Sequence, residues 1–129
     1  MSEEYLREWV DKAEEDYEVA TMLVRRRKRP TPNAVCFHCQ QCAEKYLKAS
    51  LVRHQVAFPK IHDLRELRRL AVIVDPTFDL ITDLLVRLAP YAVEFRYPGE
   101  EATVEEAKAA VKAVKEIRRF VRSKLELAG

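Results

Sequence analysis

Gln41, Glu44 and Lys48 stand along one side of a segment that otherwise reads as an apolar helix, Phe37-His38-Cys39-Gln40-Gln41-Cys42-Ala43-Glu44-Lys45-Tyr46-Leu47-Lys48-Ala49. Glu44 and Lys48 make an i,i+4 pair of the favourable order. On a solvated helix such a pair is an ordinary surface feature. On a helix that is otherwise apolar it points to a polar cleft or a subunit interface. A second group lies at Arg96-Tyr97-Pro98, between two helical segments. An arginine there can grip a phosphate with two parallel hydrogen bonds, and a tyrosine can stack on a base. His62 immediately precedes a helix, where a histidine is usually a loop residue. It becomes a proton-transfer candidate if it stands within about 7 Å of Arg96, so that both reach one phosphate. Asp16 lies beside the apolar stripe of the first helix. It is either at the stripe's edge in water or paired with Arg96 or Lys48 across a cleft.

Other motifs have blander readings. Cys36-x-x-Cys39-x-x-Cys42 resembles a metal-binding run, but no fourth cysteine exists. On a helix the three spread over about 120°, too wide for one ion. They are read as small core residues, and no metal or cofactor is expected. Arg25-Arg26-Arg27-Lys28-Arg29 reads either as a phosphate-binding patch or as cations complementing the dipole at a helix C-terminus. His38 and His54 have no evident partner in sequence.

These residues need a scaffold, and the sequence supplies helices. The chain has 129 residues, 48% hydrophobic and 34% charged, enough for a single domain over residues 1–129 with a real core. Only two glycines interrupt it. A net charge of +2 forces no polyanionic partner, so nucleic-acid binding must rest on a local patch. No apolar run is long enough to span a membrane, the N-terminus lacks a signal-peptide layout, and three clustered cysteines are not a disulfide framework. A cytoplasmic protein with no membrane partner is the expectation.

Helical periodicity predicts five helices separated by prolines. The first covers 2–27 with Leu6, Trp9, Ala13, Tyr17, Ala20 and Leu23 on its stripe. The second covers 33–55, with Asn33 as N-cap. The third starts at Asp63, with Glu66 completing a capping-box-like pair, and breaks at Asp75-Pro76. The fourth carries Phe78, Ile81, Leu84, Leu85 and Leu88 and ends near Pro90, with a further turn or two over 91–97. Thr103 opens the fifth in a Thr-x-x-Glu capping box with Glu106. Short connections predict an all-α, up-and-down bundle of four to five helices.

The order of these features resembles the HEPN family over about residues 3–126. The resemblance rests on the Gln-Gln-x-Ala-Glu-Lys-x-Leu-Lys-type segment of the second helix, Arg96-Tyr97-Pro98 before the last helix, His62-Asp63-Leu64 at the start of the third, and Asp16 in the first. It implies a dimerising four- or five-helix bundle whose members often act beside a minimal nucleotidyltransferase as a toxin–antitoxin-like pair. Active members are metal-independent ribonucleases that use Arg-x4-6-His near the last helix, in a site shared by two subunits. Here Arg96 matches, but Glu101, Ala102 and Thr103 occupy the positions where the histidine would stand.

Three readings follow. The first is a homodimeric binding and assembly module that holds a nucleotide or RNA, or docks the nucleotidyltransferase, with Asp16, Gln41, Glu44, Lys48, His62, Arg96 and Tyr97 lining the cleft. The second is an endoribonuclease in which Arg96 and His62 are catalytic. The third is a ligand-free bundle, which requires Glu44 and Lys48 to be fully exposed.

Overall fold

The computed structural model describes residues 2–95 and 97–129. Five α-helices follow in order: α1 (Glu3–Val24), α2 (Pro32–Arg53), α3 (Leu64–Val74), α4 (Thr82–Leu88) and α5 (Val104–Lys124). Single 3₁₀ segments, Pro76–Ile81 and Ala89–Ala92, flank α4. The expected all-α bundle is what forms.

Helix α2 is the hub, packed against α1, α5 and α3. Fourteen of its 22 residues are buried, against five on α1. Small side chains make this possible. Cys36, Cys39, Cys42, Ala43 and Ala49 on α2, Ala13 and Ala20 on α1, and Ala107, Ala110 and Ala113 on α5 are all buried. Short side chains at a helix crossing let the backbones approach closely. The wide apolar arc of α2 is therefore covered within one chain, so it does not by itself call for a second subunit. Leu67, Phe78, Leu85 and Leu88 close the core on the α3–α4 side, and Ile117 and Val121 on the α5 side.

The cysteines are buried core residues, free and unpaired with one another. Among the described residues, no group of His, Cys, Asp or Glu side chains is placed to hold a metal ion. No helix among them is long and apolar enough to cross a membrane.

Helix ends obey their caps, with some shifts from the sequence reading. Ser2 caps α1, and Thr103 and Glu106 form the reciprocal capping box of α5. Asp63 caps α3, but Glu66 turns to Arg69 instead of completing a box. Asn33 is not the N-cap of α2. Pro32 takes the first helical position, where its missing N–H costs nothing, so Thr31 is the N-cap, without a side-chain cap bond. Asn33 instead clamps the loop before α5: its Oδ1 accepts from the Ala102 N–H at 2.7 Å, and its Nδ2 donates to Glu101 Oε2 at 2.7 Å. The expected turn over 91–97 shortens to the 3₁₀ segment ending at Ala92. Phe95 then takes φ 66°, a left-handed conformation unusual for an aromatic residue, and Gly99 takes φ 92°.

Candidate functional site: a buried polar network beneath His62

The polar stripe of α2 faces inward. Glu44 is 1% exposed and Lys48 5%. This removes the reading of the stripe as wet surface. Two charges taken out of water need close partners, and both have them. Lys48 Nζ donates to Glu44 Oε2 at 3.1 Å. It also lies over the Trp9 ring, 5.1 Å from the centroid, and near Phe58. Gln40, fully buried, donates through Nε2 to Glu44 Oε1 at 3.3 Å and to the His62 carbonyl at 3.4 Å. Gln41 donates to Gln40 Oε1 at 2.7 Å.

His62 completes the network from the α2–α3 connection. Its Nδ1 lies 3.0 and 3.1 Å from the two Glu44 oxygens. Lys48 Nζ and Gln40 Nε2 can only donate, so the Glu44 oxygens accept from both, and an Nδ1–H on His62 is the third donor that fits this carboxyl group. The ring's Nε2 is left as the outward nitrogen, with no partner among the described residues. The side chain as a whole is 71% exposed, although it stands on a carboxylate that is 2% exposed. A buried acid thus fixes the tautomer and orientation of a surface imidazole. Nε2 can accept a proton when the ring is neutral and donate to an anion when it is charged.

His62 opens on a groove of about 330 Å³ walled by Asp63, Arg65, Pro90 and Val93. The Asp63 carboxylate accepts from the Arg65 N–H at 2.9 Å as the cap of α3. The Arg65 guanidinium makes no ion pair among the described residues. Sequence reasoning missed Arg65 and Gln40. The spacing of Gln40, Glu44 and Lys48 at i, i+4 and i+8 was the available signal for Gln40, because it defines a single inward row.

Structure does not assemble all of the predicted cleft. Gln41, Glu44, Lys48 and His62 are brought together. Asp16 is not among them, nor is it in water. It is 7% exposed and pairs with His38 Nδ1 at 2.8 Å and Lys45 Nζ at 2.5 Å. Its partners are neither Arg96 nor Lys48, because α1 crosses α2 on the face that carries His38 and Lys45. His38 therefore does have a partner. Tyr97 is 71% exposed. Arg96 lies outside the described residues.

A further ion network ties α1, α2 and α5. Arg118 grips Glu14 with two bonds of 2.7 Å, the Tyr46 hydroxyl donates to Glu14, and Arg122 donates to the Tyr46 oxygen at 3.1 Å. Burial raises the Glu14 carboxyl, but the Arg118 and Tyr46 hydrogen bonds and the arginine charges outweigh it, leaving it below the ordinary carboxylate range.

Comparison with known proteins agrees with this architecture. The crystal structure of an archaeal HEPN homologue superposes with a TM-score of 0.72 at 22% identity, covering 92% of this chain and 96% of that one. A search of curated protein sequences gives no match. The model of the HEPN domain matches residues 6–124, nearly the whole bundle, and the chain therefore belongs to the HEPN family.

Proposed function

We propose that this HEPN protein binds a phosphate-bearing ligand, a nucleotide or an RNA strand, in the groove beside His62. One observation carries the reading: an exposed imidazole is held by a buried Glu44–Lys48–Gln40 network. Lys48 offsets the Glu44 charge, so the network orients His62 without placing an uncompensated negative charge under the groove. Arg65 on the wall supplies a fixed cation, and a guanidinium meets phosphate oxygens in a planar fork. Arg96, only three residues beyond Val93, is the second candidate for that role, and Tyr97 offers an exposed ring for a base. Assembly as a homodimer, and action beside a minimal nucleotidyltransferase in a toxin–antitoxin-like pair, complete the proposal. Both rest on the family alone.

The same observation favours one alternative, a metal-independent endoribonuclease. A general base needs its far nitrogen held so that the near one meets the proton. The Glu44–His62 pair has that form, and it would stand in for the histidine missing after Arg96. Arg96 would then stabilise charge developing on the phosphate.

Both readings are tested by purified protein with a mixed cellular RNA pool in chelator, beside His62→Ala, Arg65→Ala and Arg96→Ala. Retention without cleavage, weakened by each substitution about ten- to a hundredfold in Kd, is the expected result, since a charge-assisted bond is worth about 1.5–3 kcal/mol. Cleavage lost in His62→Ala and Arg96→Ala establishes the ribonuclease. Wild-type protein that neither binds nor cuts overturns both.

A further inference from the structure

The basic run at residues 25–29 is not explained by its helix. Helix α1 ends at Val24 with no basic residue in its last turn, and dipole effects fade within that turn. Arg25 is the C-cap and Arg26 closes one more turn onto the Leu23 carbonyl at 3.1 Å. Arg27, Lys28 and Arg29 lie beyond the reach of the dipole. All five residues are exposed, and none makes an ion pair among the described residues. The run holds five of the chain's 23 Lys and Arg residues, leaving 18 against 21 Asp and Glu. The small positive net charge is therefore the work of this one segment.

The fold extends the run. Arg25, Arg26 and Arg27 share a groove of about 500 Å³ with Val104 and Lys108 at the start of α5. From Lys108 a row of exposed cations, Lys112, Lys115 and Arg119, follows at i+4, i+7 and i+11. These lie within about 60° of one another and extend the cationic surface by about 16 Å. None is ion-paired among the described residues. Helix α1 carries the opposite row, the exposed Glu4, Glu8, Asp11, Glu15 and Glu18. Val24 and Val104 line one groove and Arg118 pairs with Glu14, so the two helices run antiparallel. Glu14 and Arg118 each sit about 80° from their row in the same sense, which in antiparallel helices puts both rows on one face. The acidic row fences the basic one.

We infer that the 25–29 run and the Lys108–Lys112–Lys115–Arg119 row form one track for the sugar–phosphate backbone of a single-stranded RNA. This rests on the nucleic-acid reading above and adds a contact surface separate from the His62 groove. A polyanion gains from each cation in turn and is repelled from the α1 side, so the strand follows α5 instead of crossing it. The track gives strength without sequence preference, because it meets phosphates and not base edges.

Binding of a fluorescein-labelled poly(U) oligonucleotide, followed by anisotropy across a salt series, tests this. Contact with about five phosphates gives a log–log salt slope of about −3.5, so a fourfold rise in salt weakens binding about a hundredfold. The Arg26→Gln/Arg27→Gln/Arg29→Gln triple should flatten the slope by about 2, and Lys112→Gln/Lys115→Gln by about 1.4. Arg7→Gln/Lys12→Gln removes two charges from α1 and should leave the slope unchanged. His62→Ala should lower affinity with no change of slope. Slopes unmoved in the triple and the α5 pair overturn the track while the groove reading survives. No binding by wild-type protein overturns both. Capture by phosphatidylserine vesicles without RNA binding assigns the run to a lipid surface and overturns the inference.

Discussion

Replacing Lys48 by methionine isolates what the buried network contributes. Methionine keeps an unbranched apolar stem of similar length and removes the ammonium that lies over Trp9. Breaking a buried ion pair by removing one partner costs about 3–5 kcal/mol, because the other charge is stranded. Glu44 keeps two donors after the change, His62 Nδ1 and Gln40 Nε2. The cost should therefore fall at the lower end, about 3 kcal/mol, or a fall of roughly 10 °C in Tm for a domain of this size. Glu44→Gln should cost about 2–3 kcal/mol by the same argument, since it strands the ammonium. The double variant leaves no charge behind and should cost well under the sum, a coupling of about 2 kcal/mol. Urea unfolding followed by circular dichroism measures all four corners of the cycle. Trp9 is the chain's single tryptophan, and Lys48 Nζ lies 5.1 Å from its ring, so its emission reads the same site locally. His62→Ala is the control. Its ring is 71% exposed, so the loss should stay near or below about 1 kcal/mol. A Lys48→Met cost under about 1 kcal/mol, together with an additive double variant, would refute the description of Glu44 and Lys48 as a desolvated pair.

Asn33→Ala should cost about 1–3 kcal/mol, because it strips the acceptor from the N–H of Ala102, itself 6% exposed. Faster amide exchange over residues 100–103, with the α2 core unchanged, checks that the loop and not the bundle is released. The lowered Glu14 carboxyl contributes stability that is complete above its ordinary value of 4.5 and lost as pH falls through the lower folded value. Acid unfolding should thus be steeper in the wild type than in Glu14→Gln, and parallel pH–stability curves would refute the assignment. Burial raises all three thiols, Cys36 to about 11 and both Cys39 and Cys42 well above the ordinary thiol range. Labelling by a thiol reagent at neutral pH should therefore be slow in the folded state and reach three equivalents only in denaturant. Rapid native labelling of any one would contradict the packing.

Periodicity revealed the bundle because each helix repeats its apolar residues at the spacing its neighbours require. It misjudged the site because a helical wheel shows which residues share a face, not whether that face meets water. The row of Glu44 and Lys48 looked like an opening in the core. It is a polar layer within the core, and only its tip, His62, reaches the surface. Asp16 failed for a related reason. Its partners, His38 and Lys45, lie 22 and 29 residues away, and only the crossing of α1 over α2 brings them together. Gln40 was overlooked in favour of Gln41 because adjacent identical residues differ only in the direction they point. What could be read locally was therefore the scaffold, the Thr103–Glu106 capping box and the basic run. What required the fold was the coupling: a buried carboxylate aiming an exposed imidazole, and a five-residue charge run continued by a helix that begins 75 residues after that run ends. Both depend on pairs that have no local signature, and both lie at the rim of α2 and along α5, outside the apolar pattern that fixes the fold.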